Sequence, residues 1–219
     1  LKYRSYYKYI DDNLTYPISL HSLELGMSKN LVDRRFHISP PGQTTQHTVT
    51  DNYNNLSSDI YDNNEELGII KCQEIVNSST TKGDILLFST NIKRLTNICN
   101  KLNKTIPQDC ICLPFYAKMP TKYFNIVKEI NKQINYITIK KNDILDVFIG
   151  NKKEINAGKT NEGTYKRAII VATTVAEASL TINSLRFVVD LGYQQSVEYD
   201  YKNKIYIPNE VKITDSSRM

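Results

Sequence analysis

The chain has 219 residues, with 28 lysines and arginines against 23 aspartates and glutamates, so its formal net charge is +5, and 40% of its residues are hydrophobic. This length can bury the core of one large domain or somewhat more, and the mild positive charge permits nucleic-acid binding without demonstrating it. The sequence has no run of about 18 apolar residues and no signal peptide at its start, so we expect no membrane span and no membrane partner.

The first 63 residues carry few periodic signals. A short strand is predicted around Phe36 and Ile38, which alternate with polar residues, and the Pro-Pro-Gly sequence at 40–42 would end it. Residues 43–63 are polar and predict a linker or a long loop.

From Glu65 onward the sequence predicts helices and strands in alternation, with short connections, which is typical of α/β architecture. The predicted elements are a helix between Glu65 and Gly83, a strand at 84–88, a helix from about 91 to 102 with Ile92, Leu95, Ile98, Cys99 and Leu102 on one face, a strand at 110–116, a helix from about 120 to 134, one more helix at 142–149 and a polar surface loop at 150–164.

Residues 167–192 predict a buried strand, a hydroxyl-rich turn at Thr173 and Thr174, a short helix and a second buried strand. Residues 168–172 are apolar throughout rather than alternating, as expected of a parallel strand that is covered on both faces. The turn follows the carboxyl end of that strand, and open α/β sheets bind ligands at that edge. Beyond it, residues 196–201 and 205–208 alternate around an asparagine turn and predict a β-hairpin, which residues 211–214 could continue.

Three segments resemble motifs of the superfamily 2 helicases, in particular the DEAH-box and viral group that includes the poxvirus RNA helicase and the flavivirus-type helicases. The pattern A-T-x-x-A-E-x-S-L-T-I, followed by a strand ending in D-x-G, resembles motif V. Residues 83–90 resemble motif IV, and residues 113–120 resemble the L-P-x-Y-x-x-x-P element that follows it. The matched motif V positions are Ala172, Thr173, Ala176, Glu177, Ser179, Leu180, Thr181, Ile182, Asp190 and Gly192.

The resemblance implies a RecA-like domain with a mainly parallel sheet flanked by helices and a β-hairpin near the carboxyl terminus. It assigns residues 1–42 to the end of a first RecA-like domain and its crossover, 43–63 to a linker or loop, and 64–219 to a second RecA-like domain, ahead of the Q-R-x-G-R-x-G-R motif. The implied parent is an NTP-dependent RNA helicase that moves 3′ to 5′ along single-stranded nucleic acid and unwinds duplexes.

Two helicase elements do not occur in these residues, a Walker A loop and a D-E-x-H box. We therefore expect no catalytic residue here and no ATP hydrolysis by the chain alone, with ATP (or another NTP) and Mg²⁺ bound mainly by other parts of the parent. Residues 157–160, Ala-Gly-Lys-Thr, imitate the end of a phosphate-binding loop, but Lys153 stands where the first glycine should be and no apolar strand precedes them.

Nucleic-acid contact is predicted for hydroxyl and lysine side chains near the ends of strands, because such groups bind phosphate without reading sequence. Helix capping is the alternative for the pair Ser89 and Thr90, and a solvated helix face is favoured for Lys93 and Arg94. The candidates are Ser89, Thr90, Lys118, Thr173 and Thr174.

By resemblance, a further set lies near the interdomain cleft and senses the bound nucleotide: Glu177, Ser179, Thr181, Asp190 and Gly192. Thr174 and Glu177 also have capping-box spacing, and Asp190 could instead stabilise a turn. The hairpin matches the position of the group's strand-separating hairpin, with Tyr199, Tyr201 and Tyr206 as candidates, although a purely structural hairpin is the alternative.

Neither the four cysteines nor the three histidines have zinc-site spacing, so no metal site is predicted, and the cysteines are interpreted as reduced, partly buried thiols. The partner implied by the resemblance is single-stranded or tailed duplex RNA, with DNA and transcription or RNA-processing machinery as further candidates. The expected location is the cytoplasm, a virus factory or a virion, with the nucleus left open. Two alternatives to the RNA helicase stay open, a non-catalytic RNA-binding or scaffolding module and a DNA translocase of the same superfamily.

Overall fold

The computed structural model describes residues 50–53, 60–78, 81–161, 163, 165–173 and 182–213. The chain divides into two compact units, Leu1–Tyr53 and Asn54–Met219, and every element described below belongs to the second unit. The strand predicted around Phe36 and the helix predicted after Thr174 lie outside the described residues.

The described ranges contain helices and strands in the predicted alternation. In chain order they are α1 (Tyr61–Ser78), β1 (Asp84–Phe88), α2 (Ile92–Thr105), β2 (Cys110–Phe115), α3 (Thr121–Lys128), α4 (Ile130–Gln133), α5 (Lys141–Phe148), β3 (Arg167–Ala172), β4 (Leu185–Val189), β5 (Tyr193–Asp200) and β6 (Ile205–Lys212), with short 3₁₀ turns at Ile134–Tyr136 and Glu154–Asn156.

Strands β1 to β4 form one parallel sheet in the order β2-β3-β1-β4. Successive residues of β2 are all buried, and so are nearly all residues of β1 and β3. Because neighbouring residues of a strand point to opposite faces, both faces of these three strands are covered. The predicted fold class, a mainly parallel α/β sheet flanked by helices with a hairpin after it, is confirmed.

Strand β4 departs from the prediction of a second fully buried strand. Arg186 and Val188 are exposed, and the side chain of Val188 is 58% accessible, while the alternate residues are half-buried. Arg186 and Val188 share one face of β4, so this face is left uncovered, whereas β2 at the other end of the strand order is buried on both faces.

Helix α2 buries the face that its periodicity predicts, since Leu95, Ile98, Cys99 and Leu102 are inaccessible to solvent. Each such aliphatic side chain stabilises the fold by about 1.5–3 kcal/mol when it is fully buried. Ile92 was also predicted on this face, but it is 45% exposed because it is the first residue of the helix and lies beyond the covered turns.

The single helix predicted at 120–134 is instead broken at Glu129, whose φ of −107° and ψ of 31° are not helical. The break leaves Val127, Ile130 and Ile134 all in the hydrophobic core. The predicted loop at 150–164 contains a short 3₁₀ turn and an isolated bridge from Ile139 to Lys159.

Strands β5 and β6 form the predicted antiparallel hairpin, in a register that runs from Tyr193 opposite Lys212 to Asp200 opposite Ile205. Asp200 closes the turn by accepting hydrogen bonds from the backbone N–H groups of Lys202 and Asn203, at 2.8 and 3.2 Å. None of the helices in the described part of the chain is long and apolar enough to cross a lipid bilayer.

Candidate functional site

The turns that follow β1, β2 and β3 lie side by side at the carboxyl edge of the sheet. The backbone N–H of Ser89 donates to the carbonyl of Ala172 at 2.8 Å, and the N–H of Thr173 donates to the carbonyl of Phe115 at 3.2 Å. These two bonds extend the ladder by one residue beyond the strands, so they fix the polar turns next to each other.

Of the predicted site residues that the structure describes, all but the hairpin tyrosines lie at this one edge. Lys118 is exposed in the turn after β2, Thr173 is half-buried after β3, and Asp190 follows β4. Ser89 and Thr90 follow β1 and are buried. Thr174, Glu177, Ser179 and Thr181 lie outside the described residues, and contact of any candidate with nucleic acid or nucleotide stays a prediction.

Helix α2 is capped by Asn91 rather than by the hydroxyl pair before it. Asn91 has the extended backbone of an N-cap residue, and its Oδ1 accepts a hydrogen bond from the N–H of Arg94 at 3.0 Å. The capping alternative for Ser89 and Thr90 is therefore wrong, because the next residue already satisfies the first turn.

Thr90 is engaged by the hairpin. Its hydroxyl donates to Oε1 of Glu210 on β6 at 2.6 Å, and the side-chain amide of Asn91 donates to the same oxygen at 3.1 Å. Thr90 therefore contacts a carboxylate of its own chain at the position where a phosphate contact was predicted.

Arg94 was expected on a solvated helix face, but it is the centre of a charged cluster. Its Nε and Nη2 donate to the two carboxylate oxygens of Glu210 at 3.2 and 3.1 Å, and its Nη1 forms ion pairs with Asp62 and, at 3.7 Å, with Glu65. The guanidinium also lies 4.7 Å from the ring centre of Tyr61. Hydrogen bonding to Glu210 is the main cause that raises the pKa of Arg94, so this charge is fixed.

Two buried hydroxyls beside this cluster, those of Ser89 and Tyr61, have no hydrogen-bond partner among the described residues outside their own group with Thr90. Burial raises the pKa of the Tyr61 phenol, and hydrogen bonding to Thr90 and Ser89 partly opposes that rise. Buried hydroxyls that are incompletely hydrogen-bonded are costly, so the fold leaves this polar spot at the sheet edge incompletely satisfied.

The base of the hairpin packs against α1 as well as α2. The ring of Tyr193 meets that of Tyr61 edge-on, with the ring centres 5.3 Å apart. The side chain of Leu191 lies so close to Gly68 that a Cβ atom there would clash with Leu191 Cδ2. Asp190 accepts a hydrogen bond from the N–H of Gly192 at 2.8 Å, so it does stabilise the turn that leads into β5.

The paired residues Gly83 and Asp84 of the motif IV resemblance have structural roles at the opposite, amino edge of the sheet. Gly83 has a φ of +138°, which favours glycine, and its carbonyl accepts a hydrogen bond from Arg167 Nε at 2.6 Å. Asp84 accepts a hydrogen bond from the N–H of Ala168 at 2.8 Å and another from the hydroxyl of Ser184. Asp84 therefore ties β1 to β3 and to the turn before β4.

The hairpin tyrosines form a cluster away from the sheet. The ring centre of Tyr199 lies 5.0 Å from those of Tyr201 and Tyr206, and the latter two are 85% and 71% exposed. The cluster places aromatic faces in solvent, where they are available to stack on a partner.

The phosphate-loop imitation at 157–160 is packed against α5, where the N–H of Gly158 donates to Asp143 Oδ2 at 2.9 Å. A carboxylate therefore occupies a backbone amide that a phosphate loop would need. Within the described ranges, no group of three or more His, Cys, Asp or Glu side chains could hold a metal ion. The four cysteines are free, and all of them are buried rather than partly buried.

Sequence reasoning missed Glu210 and Tyr61, which complete the polar cluster at this edge. Glu210 is separated from its partners by 116 to 120 positions in the chain, and it occurs in a hairpin strand where an acidic residue usually faces solvent. No local pattern in the sequence indicates that Glu210 reaches these partners.

No family model matches the chain. The chain is 38% identical over 221 residues to a protein named as an ATP-dependent RNA helicase from Acanthamoeba polyphaga mimivirus, with 99% of this chain and 12% of that protein covered. It is 29% identical over 153 residues to ATP-dependent RNA helicase HrpA of Borreliella burgdorferi, with 68% of this chain and 15% of that protein covered. Among solved structures, the DExH-box NTPase HrpB of E. coli matches at 16% identity and a TM-score of 0.48, with 70% of this chain and 15% of that chain covered. The chain thus spans only 12% and 15% of the length of these two curated relatives.

Proposed function

We propose that this chain belongs to the DEAH-type helicases of superfamily 2, and that the full-length protein is an NTP-dependent RNA helicase that moves along single-stranded RNA and separates duplexes. In this proposal the described residues supply one wall of the RNA track. NTP hydrolysis belongs to other parts of the protein.

The observation that carries the proposal is the alignment of polar turns at the carboxyl edge of the sheet. The turns that hold Ser89 and Thr173 follow two directly paired strands, with Phe88 opposite Ala172. Lys118 follows the strand on the other side of β3. A sugar–phosphate chain that crosses this edge would meet the half-buried hydroxyl of Thr173 and the exposed ammonium of Lys118, with the hydroxyls of Ser89 and Thr90 buried beside them.

These groups suit movement along RNA because none of them reads a base. The exposed ammonium of Lys118 would neutralise phosphate charge, and the half-buried hydroxyl of Thr173 would donate to a phosphate oxygen. The hairpin begins directly after β4 at the same edge, so a strand held there would be close to the base of the hairpin.

Within the described residues, no group of three or more His, Cys, Asp or Glu side chains is placed to hold a metal ion. In this proposal the NTP and its Mg²⁺ are bound mainly by other parts of the protein, and this chain supplies the grip on RNA together with the nucleotide-sensing residues. Nucleotide sensing by Asp190 and Gly192, with Glu177, Ser179 and Thr181, belongs to the proposal, as do a location in the cytoplasm, a virus factory or a virion and an association with transcription or RNA-processing machinery.

Thr173 provides the direct test. In the full-length protein, Thr173→Ala should lower RNA-stimulated NTPase activity about three- to tenfold and leave basal activity unchanged, because one hydrogen bond to a charged phosphate is lost. Thr138→Ala is the matched control, since Thr138 is an exposed threonine outside the strand ends. An equal loss of basal and stimulated activity would point to damaged folding and would contradict the assigned role.

Duplex substrates distinguish the alternatives. Tailed RNA duplexes should be unwound and should stimulate hydrolysis. If DNA stimulates NTP hydrolysis and RNA does not, a DNA translocase is favoured. If the full-length protein binds RNA but does not hydrolyse NTP, a non-catalytic module is favoured.

A further inference from the structure

The carboxylate of Glu210 is held by a set of donors that suits any anion with two neighbouring oxygens. Thr90 and Asn91 donate to Oε1 at 2.6 and 3.1 Å, and Arg94 spans both oxygens at 3.2 and 3.1 Å. The donors lie at the start of the 14-residue helix α2, where the helix dipole favours negative charge. We call these three donor residues the α2 cradle.

Arg94 divides its nitrogens between two partners. Glu210 takes the edge formed by Nε and Nη2, whereas Asp62 and Glu65 contact Nη1. If Glu210 left, the acids of α1 would still hold one side of the guanidinium in place. The free edge would present two parallel N–H donors, the geometry with which arginine binds a phosphate.

The cradle also adjoins polar groups that Glu210 does not satisfy. Ser89 is 3% exposed and Tyr61 is 6% exposed, and among the described residues their hydroxyls have no hydrogen-bond partner other than each other and Thr90. Both hydroxyls therefore lie beside the cradle and are incompletely hydrogen-bonded. A phosphodiester brings more acceptor oxygens than a carboxylate, so it could accept from donors that the present arrangement satisfies only in part.

We propose that the α2 cradle is a binding site for a backbone phosphate of RNA, and that Glu210 of the hairpin closes it by occupying the same donors. This inference rests on the proposed RNA grip at the sheet edge and adds its regulation. Phosphate binding at Thr90 and anchoring of β6 at Thr90 exclude each other. An RNA strand that enters the cradle therefore detaches Glu210 and loosens the base of the hairpin.

Removal of Glu210 should open the site. In the full-length protein, Glu210→Ala should bind a fluorescent single-stranded RNA about three- to tenfold more tightly than Glu198→Ala, as read by anisotropy. Glu198 is the matched control because it is an exposed acid of the same hairpin, paired only with Asn209 at 2.9 Å among the hydrogen bonds described, so both variants change the net charge equally. Equal affinities of the two variants would overturn the inference.

A second variant tests the shared donor. Thr90→Val should change RNA affinity little when Glu210 is present, because the hydroxyl is already engaged, and should weaken it about three- to tenfold in the Glu210→Ala background. The same effect of Thr90→Val in both backgrounds would contradict competition for this hydroxyl. If Glu210→Ala lowers the melting temperature, Glu210→Gln against Glu198→Gln repeats the comparison with the side-chain shape retained.

RNA binding and RNA-stimulated NTPase activity of the wild-type protein distinguish a failure of this inference from a failure of the proposed function. If the wild type shows RNA-stimulated NTPase activity and Glu210→Ala shows no gain in RNA affinity, the proposed helicase stands and closure by Glu210 is rejected. Absence of RNA binding in the wild type and in both variants would reject the two together. RNA binding that appears only on removal of Glu210 would support closure most strongly.

Discussion

Asp84 is a buried acid whose role is to join strands. It is 4% exposed, and its carboxylate accepts from the backbone of β3 and from Ser184 before β4. Burial nevertheless dominates and raises the pKa of Asp84 above its ordinary value of 3.8, against the lowering effect of those bonds and of Arg167. The folded state therefore favours the protonated form more than the unfolded state does.

The direction of this shift predicts a pH dependence. The stabilisation that a raised carboxyl pKa contributes is complete below the unfolded value of 3.8 and is lost as the pH rises through the folded value. The free energy of unfolding of the wild type should therefore fall relative to that of Asp84→Asn, by at most about 1.4 kcal/mol per pH unit, over a window that begins near pH 3.8. Urea titrations of both proteins from pH 3 upward check this, and a constant difference across the range would contradict it.

Some residues of the candidate site could be predicted from the sequence, and others could not. The hydroxyl turns after β1 and β3 could be recognised because each directly follows an apolar run. The partner of Thr90 could not, since Glu210 reaches it through a hairpin that starts more than 100 residues later. Arg94 was expected in solvent for the same reason, because its three acidic neighbours come from two other elements.

At the scale of elements, the hairpin combines an anchored base with an exposed aromatic end. Glu210 and Tyr193 pack against α2 and α1, while Tyr201 and Tyr206 lie beside Tyr199 and are largely exposed. An element held at one end with aromatic faces in solvent is suited to stack on bases at a duplex junction.

We therefore predict that Tyr201→Ser with Tyr206→Ser slows duplex unwinding about tenfold, because base stacking is lost, and changes the free energy of unfolding by less than about 0.5 kcal/mol. Strand displacement and thermal melting measure the two effects. Tyr136→Ser is the control, since Tyr136 is 77% exposed and lies outside the hairpin. Unchanged unwinding by the double variant would assign the hairpin a purely structural role.

The helices and strands themselves were largely predictable, because buried runs and the 3.6-residue period are local signals. Two elements differ from the prediction. The break at Glu129 and the half-exposed β4 depend on which elements pack against these segments. Both β2 and β4 lie at ends of the strand order, yet β2 is buried throughout and β4 is exposed on one face, so an apolar run alone cannot tell the two apart.

For the molecule as a whole, the strand order determines whether the candidate residues can act together. The order β2-β3-β1-β4 places the turns of Lys118, Thr173, Thr90 and Asp190 along one edge, although up to 100 positions separate them in the chain. The sequence predicted a shared edge through the parallel α/β class, but the neighbour relations depend on pairings between distant segments.

The central claim is that this carboxyl edge grips the sugar–phosphate chain of RNA. Ultraviolet crosslinking of the full-length protein to single-stranded RNA, with the crosslinked peptides identified by mass spectrometry, tests it most directly. We predict crosslinks in the turns at 89–91, 116–119 and 190–193, at Thr173 and on the hairpin tyrosines. Crosslinks concentrated instead at the amino edge, around Gly83, Asp109 and Lys166, would contradict the claim.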